Sequence, residues 1–186
     1  MKRLFDILAS AAGIVVAGPL LLICMILIRR DSPGPALFRQ VRVGRNEVPF
    51  VLLKLRTMFS DTRECPSHEV SVSAVTPLGR KLRTWKIDEL PQLWNVLRGD
   101  MSIVGPRPCL PSQTELIEAR RARGVNELRP GVTGISQVQG IDMSDPKKLA
   151  EVDALYIEQS GLLCDLRLIL ATLIGAGRGD RVRKKA

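Results

Sequence analysis

An α+β fold, mainly helical, is predicted by three observations: an uncharged apolar run from Ile7 to Ile28, a single pair of alternating segments, and several stretches of helical spacing between polar turns. The expected parts are a re-entrant membrane helix-bend-helix, amphipathic helices at an interface, and one small β-hairpin. Residues 1–30 read as the anchor and 31–186 as one interfacial unit, since a chain of 186 residues suits a single domain.

Composition narrows the partners. Lys and Arg outnumber Asp and Glu by 28 to 19, a net charge of +9, so a polyanionic neighbour is expected: nucleic acid, a phosphorylated substrate or an anionic membrane face. Aromatic residues are only 4% of the chain, too few for a base-stacking platform, which argues against nucleic acid. Cys24, Cys65, Cys109 and Cys164 lie far apart without C-x-x-C spacing and with His68 as the lone histidine. That pattern excludes a zinc site and a disulfide framework and fits reduced thiols in the cytoplasm.

The chain opens with Lys2 and Arg3, and the 22 residues from Ile7 to Ile28 carry no charge. As a helix they could cross a hydrocarbon core of about 30 Å. The run ends in Arg29-Arg30-Asp31 and not in a small-residue cleavage site, so it reads as a retained anchor and not a signal peptide. Gly18-Pro19 interrupts it, and Pro19 removes one helical hydrogen bond, so a bend is expected there. Cations flank both ends. A straight span gains no preferred orientation from them, whereas a hairpin keeps both flanks in the cytoplasm. Each arm would then be roughly 11 residues, about 16 Å long. A kinked span is the alternative.

Ser32-Pro-Gly-Pro35 is a turn, after which 36–43 and 48–58 alternate as strands joined by Gly44-Arg-Asn-Glu47. Lys54 and Arg56 share one strand face, which taken alone reads as solvated. Residues 60–75 show no period and read as a loop with His68 on the surface. Thr76-Pro77 starts a short helix bearing Arg80, Lys81 and Arg83.

The block from Lys86 to Pro108 organises the rest. Ile87, Leu90, Trp94 and Leu97 recur at helical spacing with Leu93 beside them, while Asp88, Gln92 and Asn95 fall opposite. Pro91 is tolerated in a first turn, so the spacing predicts a helix from Asp88 to Arg98 that stops at Gly99. Asp88 and Glu89 would sit at its positive end, where capping alone could account for them. Neighbouring helical side chains diverge by about 100°, so the two carboxylates could also hold different roles. Downstream, Pro106 and Pro108 stiffen the backbone around Arg107. An Arg beside a carboxylate able to hold a divalent metal suits a phosphate-bearing substrate; a solvated loop cation is the other reading.

Further on, Ser112-Gln-Thr-Glu115 has the form of a capping box for a helix through Arg123, whose Arg120, Arg121 and Arg123 make a solvated face or meet lipid headgroups. Arg129-Pro-Gly131 and Gly134 form a turn system before 135–138. Asp145-Pro146 opens a helix with Leu149, Val152, Tyr156 and Ile157 on its apolar side and Asp153 lodged among them. Such a carboxylate requires a partner: a structural Arg, or a role in ordering a site. Asp165 is expected to cap a last helix, whose Leu166, Ile169, Leu170, Leu173 and Ile174 pack on the core or lie in a membrane interface. The tail Arg178–Lys185 is basic and suits anionic lipid.

The run IDELPQLWNVLRGDMSIVGPRP resembles the signature of the bacterial sugar transferases, the monotopic phosphoglycosyl transferases. Lys2-Arg3 with Phe5-Asp6, Lys54-Leu-Arg-Thr-Met58, Thr76-Pro-Leu-Gly79, Arg129-Pro-Gly-Val-Thr-Gly134 and Asp165-Leu-Arg167 match in order, so the resemblance covers nearly the whole chain. It implies transfer of a sugar-1-phosphate from a nucleoside diphosphate sugar, usually UDP-linked, to polyprenol phosphate such as undecaprenyl phosphate. UMP would leave, and a covalent phosphosugar would form on Asp88. It further implies Mg²⁺ held by Glu89, phosphate contacts from Arg107 and Lys54, and re-entrant entry bent at Pro19. The location implied is the cytoplasmic face of the bacterial inner membrane, at the first membrane step of glycan assembly. The family usually has Ser-Pro at the bend and an aromatic and an alanine after the later glycine; here Gly18, Ile135 and Ser136 stand in those places. A non-catalytic, basic, membrane-anchored adaptor is the competing reading, and it has no use for adjacent acids beside a Gly-Pro-Arg-Pro turn.

Overall fold

A computed structural model describes residues 2–60, 62 and 74–176. Most of the expected 60–75 loop, His68 with it, and the basic tail lie outside them. The described chain is mainly helical, as expected, and carries two small two-stranded sheets where a single hairpin was expected.

Helix α1 (Lys2–Asp31) runs unbroken for 30 residues with Pro19 inside it. It is long and apolar enough to cross a membrane, and Val15, Val16, Leu22 and Ile23 are exposed along it. Near its start the Asp6 carboxylate is buried and accepts hydrogen bonds from Ser102 Oγ (2.9 Å) and the Ile103 amide (3.1 Å). Near its end Cys24 and Ile28 are buried in a cluster with Ala36, Leu55 and Leu82. Both ends of the apolar helix are therefore packed on the same body.

Strands β1 (Leu37–Val43) and β2 (Pro49–Leu55) form the expected antiparallel hairpin, in register from Leu37 opposite Leu55 to Val43 opposite Pro49. A 3₁₀ turn, Arg45–Glu47, joins them with Asn46 in the left-handed region, which asparagine tolerates better than most residues. Just past β2, Arg56 corrects the solvated-face expectation. It is buried, and its guanidinium donates to the carbonyls of Ile28 (3.1 Å), Ser32 (2.6 Å) and Pro33 (2.7 Å), so a core arginine caps the C-terminal end of α1. Helix α2 (Pro77–Thr84) starts as expected, with Thr76 Oγ1 accepting from the Gly79 amide.

The central block departs from its expectation in two ways. Asp88 and Glu89 lie on a separate 3₁₀ turn, Ile87–Glu89, and helix α3 begins only at Gln92 and runs to Arg98. Pro91 causes the split: its missing N–H and ring confine it to the flank of the helix. The end was read correctly, with Gly99 left-handed at φ 97°. Both faces of α3 are covered: Gln92 and Asn95 are buried, Leu93 and Leu97 are half-buried, and Trp94 alone of the apolar side is exposed, at 52%. Asn95 is buried because its side chain donates to the Val51 carbonyl (2.7 Å) and accepts from the Leu53 amide (3.0 Å), clamping β2.

Strand β3 (Ser102–Val104) pairs in parallel with β4 (Gly131–Thr133), a contact that no local pattern announces. Gly105 and Gly131 are obligatory there: a Cβ on Gly105 would stand 2.4 Å from the Arg129 carbonyl, and one on Gly131 2.1 Å from the Gly105 amide. Helix α4 (Thr114–Arg121) lacks the expected capping box; Gln113 is its N-cap and no side chain caps it. After the short α5 (Ile135–Val138), α6 (Pro146–Gln159) begins as read, with Asp145 accepting from the Lys148 amide. In α7 (Leu162–Ile174) Gly161 is the N-cap, and Asp165 is not a cap. Asp165 is buried and instead accepts from Lys2 Nζ (2.7 Å) and the Tyr156 hydroxyl, tying the two ends of the described chain together.

Candidate active site

The elements above converge on a basic cleft beside the 3₁₀ turn. Lys86, just before that turn, is left-handed (φ 55°), a conformation that costs a non-glycine residue about 1–2 kcal/mol. It swings the chain so that the adjacent carboxylates face different spaces. Asp88 is buried to 6% exposure and lines a cavity of about 650 Å³ with Lys54, Arg42, Arg39, Arg29 and Arg83. Apolar walls come from Met25 of α1, Leu37, Phe38 and Phe59. Glu89 lines a small neighbouring recess with Arg107, Gln92 and Pro108, and Lys54 and Arg42 border both.

Lys54, Glu89 and Arg107 meet, so Lys54 is not on a solvated strand face. Glu89 Oε1 accepts from Lys54 Nζ at 2.8 Å and from Arg107 Nη2 at 3.3 Å. Burial by itself would raise the Glu89 pKa. The positive charges of Lys54 and Arg107, the Lys54 hydrogen bond and the nearby Lys86 charge outweigh it and bring the group down to about 2. Glu89 is thus a fixed carboxylate at neutral pH, and unsuited to donating a proton.

Arg107 projects from a loop whose carbonyls are all engaged. Pro106 O accepts from the Gly131 amide (2.9 Å) and Cys109 O from the Val43 amide (3.0 Å). Arg107 O accepts from Arg120 Nη1 (2.9 Å) and Pro108 O from Arg42 Nη1 (3.1 Å). Pro106 and Pro108 remove two donors from the loop, and the Gly105 and Leu110 amides fix its ends by donating to Thr133 O (2.8 Å) and Gln113 Oε1 (2.9 Å).

Sequence reasoning missed Arg42 and Arg120. Arg42 sits in a strand alternation that marks no function. Arg120 lies in a run of three arginines that reads as a solvated face, yet it is buried and paired with Asp153 at 2.6 Å. The outer pair follows the simpler pattern, with Arg121 on Glu47 (2.7 Å) and Arg123 on Glu151 (3.1 Å) at the surface. Asp153, lodged on an apolar face, was the available signal for a buried arginine. Among the described residues Cys24, Cys109 and Cys164 are free thiols, and no group of three His, Cys, Asp or Glu side chains converges to cage a metal.

A basic cleft with a buried aspartate and an ion-paired glutamate thus lies beside a helix long and apolar enough to cross a membrane. A family model described as bacterial sugar transferase matches residues 1–178, and the chain belongs to that family of sugar-phosphate transferases. It is 41% identical over 183 residues to the UDP-glucose:undecaprenyl-phosphate glucose-1-phosphate transferase of Caulobacter vibrioides, covering 92% of this chain and 68% of that protein. It is 35% identical over 189 residues to the exopolysaccharide production protein PSS of Rhizobium leguminosarum, covering 94% of each. With the UDP-N-acetylgalactosamine-undecaprenyl-phosphate N-acetylgalactosaminephosphotransferase of Aeromonas hydrophila the identity is 34%, over 93% of this chain and 43% of that protein.

Proposed function

We propose that this enzyme transfers a sugar-1-phosphate from a UDP-sugar to undecaprenyl phosphate through a covalent intermediate on Asp88. The observation that carries the reading is the division of labour between adjacent carboxylates. Asp88 faces the larger cavity, while Glu89 is bound by Lys54 and Arg107 in the next recess. The names of the relatives above supply the substrate classes.

In the first step an Asp88 carboxylate oxygen attacks the sugar-linked phosphorus. The bond from that phosphorus to the bridging oxygen breaks, and UMP leaves with that oxygen and its electron pair. In the second, a phosphate oxygen of undecaprenyl phosphate attacks the same phosphorus and Asp88 leaves as a carboxylate, giving undecaprenyl diphosphate sugar. Neither step requires a general base, because each nucleophile is an anion and each leaving group departs as one. Lys54 and Arg107 stand where they can transfer part of their charge from Glu89 to the diphosphate oxygens as charge develops.

Mg²⁺ fits this site as an ion that arrives with the diphosphate, since it keeps much of its own water and asks for one or two carboxylates and not a cage. Glu89 would hold it at the edge of the recess that it shares with Lys54 and Arg107. Such an ion would neutralise diphosphate charge.

The anchor follows the same logic. Arg3 donates to the Val96 and Leu97 carbonyls (2.6 and 2.8 Å) at one end of α1, and Arg56 holds the Ile28 and Ser32 carbonyls at the other. These contacts hold both ends of α1 on one body, which supports entry through one leaflet; the proposed bend at Pro19 requires the continuous helix to open there, where the proline removes one hydrogen bond. Cations on both flanks support the cytoplasmic side of the inner membrane as that leaflet.

The test is UMP release from a panel of UDP-sugars with undecaprenyl phosphate present. Asp88→Asn is expected to lose at least about 1,000-fold, with no phosphosugar adduct by intact-protein mass spectrometry. An adduct persisting on that variant overturns the nucleophile, and no UMP from any donor leaves the adaptor reading standing.

A further inference from the structure

Arg107 is reached from inside the protein by a buried polar chain. Ser136 Oγ on α5 donates to Asp153 Oδ1 at 2.7 Å. Asp153 Oδ2 on α6 accepts from Arg120 Nε at 3.0 Å and Nη2 at 2.6 Å. The remaining Arg120 nitrogen, Nη1, donates to the Arg107 carbonyl at 2.9 Å. Ser136 is wholly buried, and the Asp153 and Arg120 side chains are 2% and 5% exposed.

A sealed ion pair is a poor device for stability, because desolvating both charges consumes most of what their attraction returns. Its usual justification is orientation, and here the geometry shows what is oriented. The guanidinium is planar, and two of its nitrogens are fixed on one carboxylate oxygen, so the direction of the third is fixed as well. That third nitrogen ends on the peptide of the one loop residue whose side chain touches Glu89. The flanking prolines leave this peptide little freedom of its own.

We propose that Asp153 and Arg120, braced by Ser136, are positioning residues that set the Arg107 peptide plane and so aim its guanidinium at Glu89 and the substrate diphosphate. Ser136 strengthens the relay by giving Asp153 a third hydrogen bond. The inference rests on the reading of Arg107 as a substrate-contacting residue.

The experiment is a double-mutant cycle on the full-length chain in lipid nanodiscs, read as UMP release from the best donor of the panel above and as UDP affinity by calorimetry. Asp153→Asn, and Arg120→Met with Asp153→Leu as a packed apolar replacement, are expected to lower kcat about 10- to 100-fold. Ser136→Ala is expected to lose less and to keep the fold intact. Each loss should shrink to under about twofold when Arg107 is already Ala, because coupled residues do not add. If Arg107→Ala lowers activity and the losses still multiply, the relay is overturned while the role of Arg107 stands. If Arg107→Ala changes neither UMP release nor UDP affinity, the reading of Arg107 fails and the relay fails with it. Should the Asp153 variants not fold, Ser136→Ala in both backgrounds decides by the same criterion.

Discussion

Glu89 and Asp153 are both carboxylates gripped by arginine, and they differ in what surrounds the grip. Glu89 shares one oxygen between Lys54 and Arg107 at the edge of a cleft, with 15% of its side chain exposed. Asp153 is sealed between three elements, both oxygens engaged. The open pair can exchange partners: cations that hold a carboxylate in the resting protein can turn to phosphate when substrate arrives. The closed pair cannot exchange anything, and its stiffness serves as a reference for the first. Similar chemistry thus provides a working contact at the surface of the cleft and a fixed frame behind it.

The largest effect expected from breaking this contrast is on the closed side. Arg120→Ala strands the Asp153 charge in the interior and should cost about 3–5 kcal/mol of stability, read from denaturant unfolding in detergent. Lys54→Met should act on turnover as well, lowering it about 10- to 100-fold, with its stability cost greatest at neutral pH. It also has a pH signature. The Glu89 pKa is about 2 in the fold against an ordinary value of 4.5. Its ionisation therefore contributes stability that is complete above the unfolded value and lost as pH falls through the folded one. Without Lys54 the folded value moves back up, so the deficit in melting temperature of Lys54→Met against the parent should be widest near pH 7 and narrow as pH drops below 4.5; parallel curves would dissociate Lys54 from Glu89. The smallest effect belongs to the surface pair of Arg121 and Glu47, where Arg121→Ala should leave the melting temperature within about one degree.

The carboxylates proposed to be catalytic stand out because residue type and spacing carry them: adjacent acids before a Pro-broken helix and an arginine between prolines remain conspicuous wherever the chain goes. The hairpin was legible for the same local reason. What escaped depends on distant partners. The burial of Asn95 could not be read from hydropathy, because it rests on two backbone hydrogen bonds to β2. Arg56 and Arg120 looked like surface charges because their acceptors, the α1 carbonyls and Asp153, lie more than twenty residues away. Asp165 was taken for a cap when its partners are Lys2 and Tyr156. The parallel β3–β4 pair leaves a trace only in its glycines.

Because Asp6, Cys24 and Ile28 are buried among residues of the globular portion, the apolar helix is as much interior as attachment. Trimming it away would uncover the Ala36, Leu55 and Leu82 surface and release Ser102 from its carboxylate. A water-soluble version of this enzyme is therefore not obtained by shortening it, and detergent or lipid has to accompany the folded molecule through every preparation.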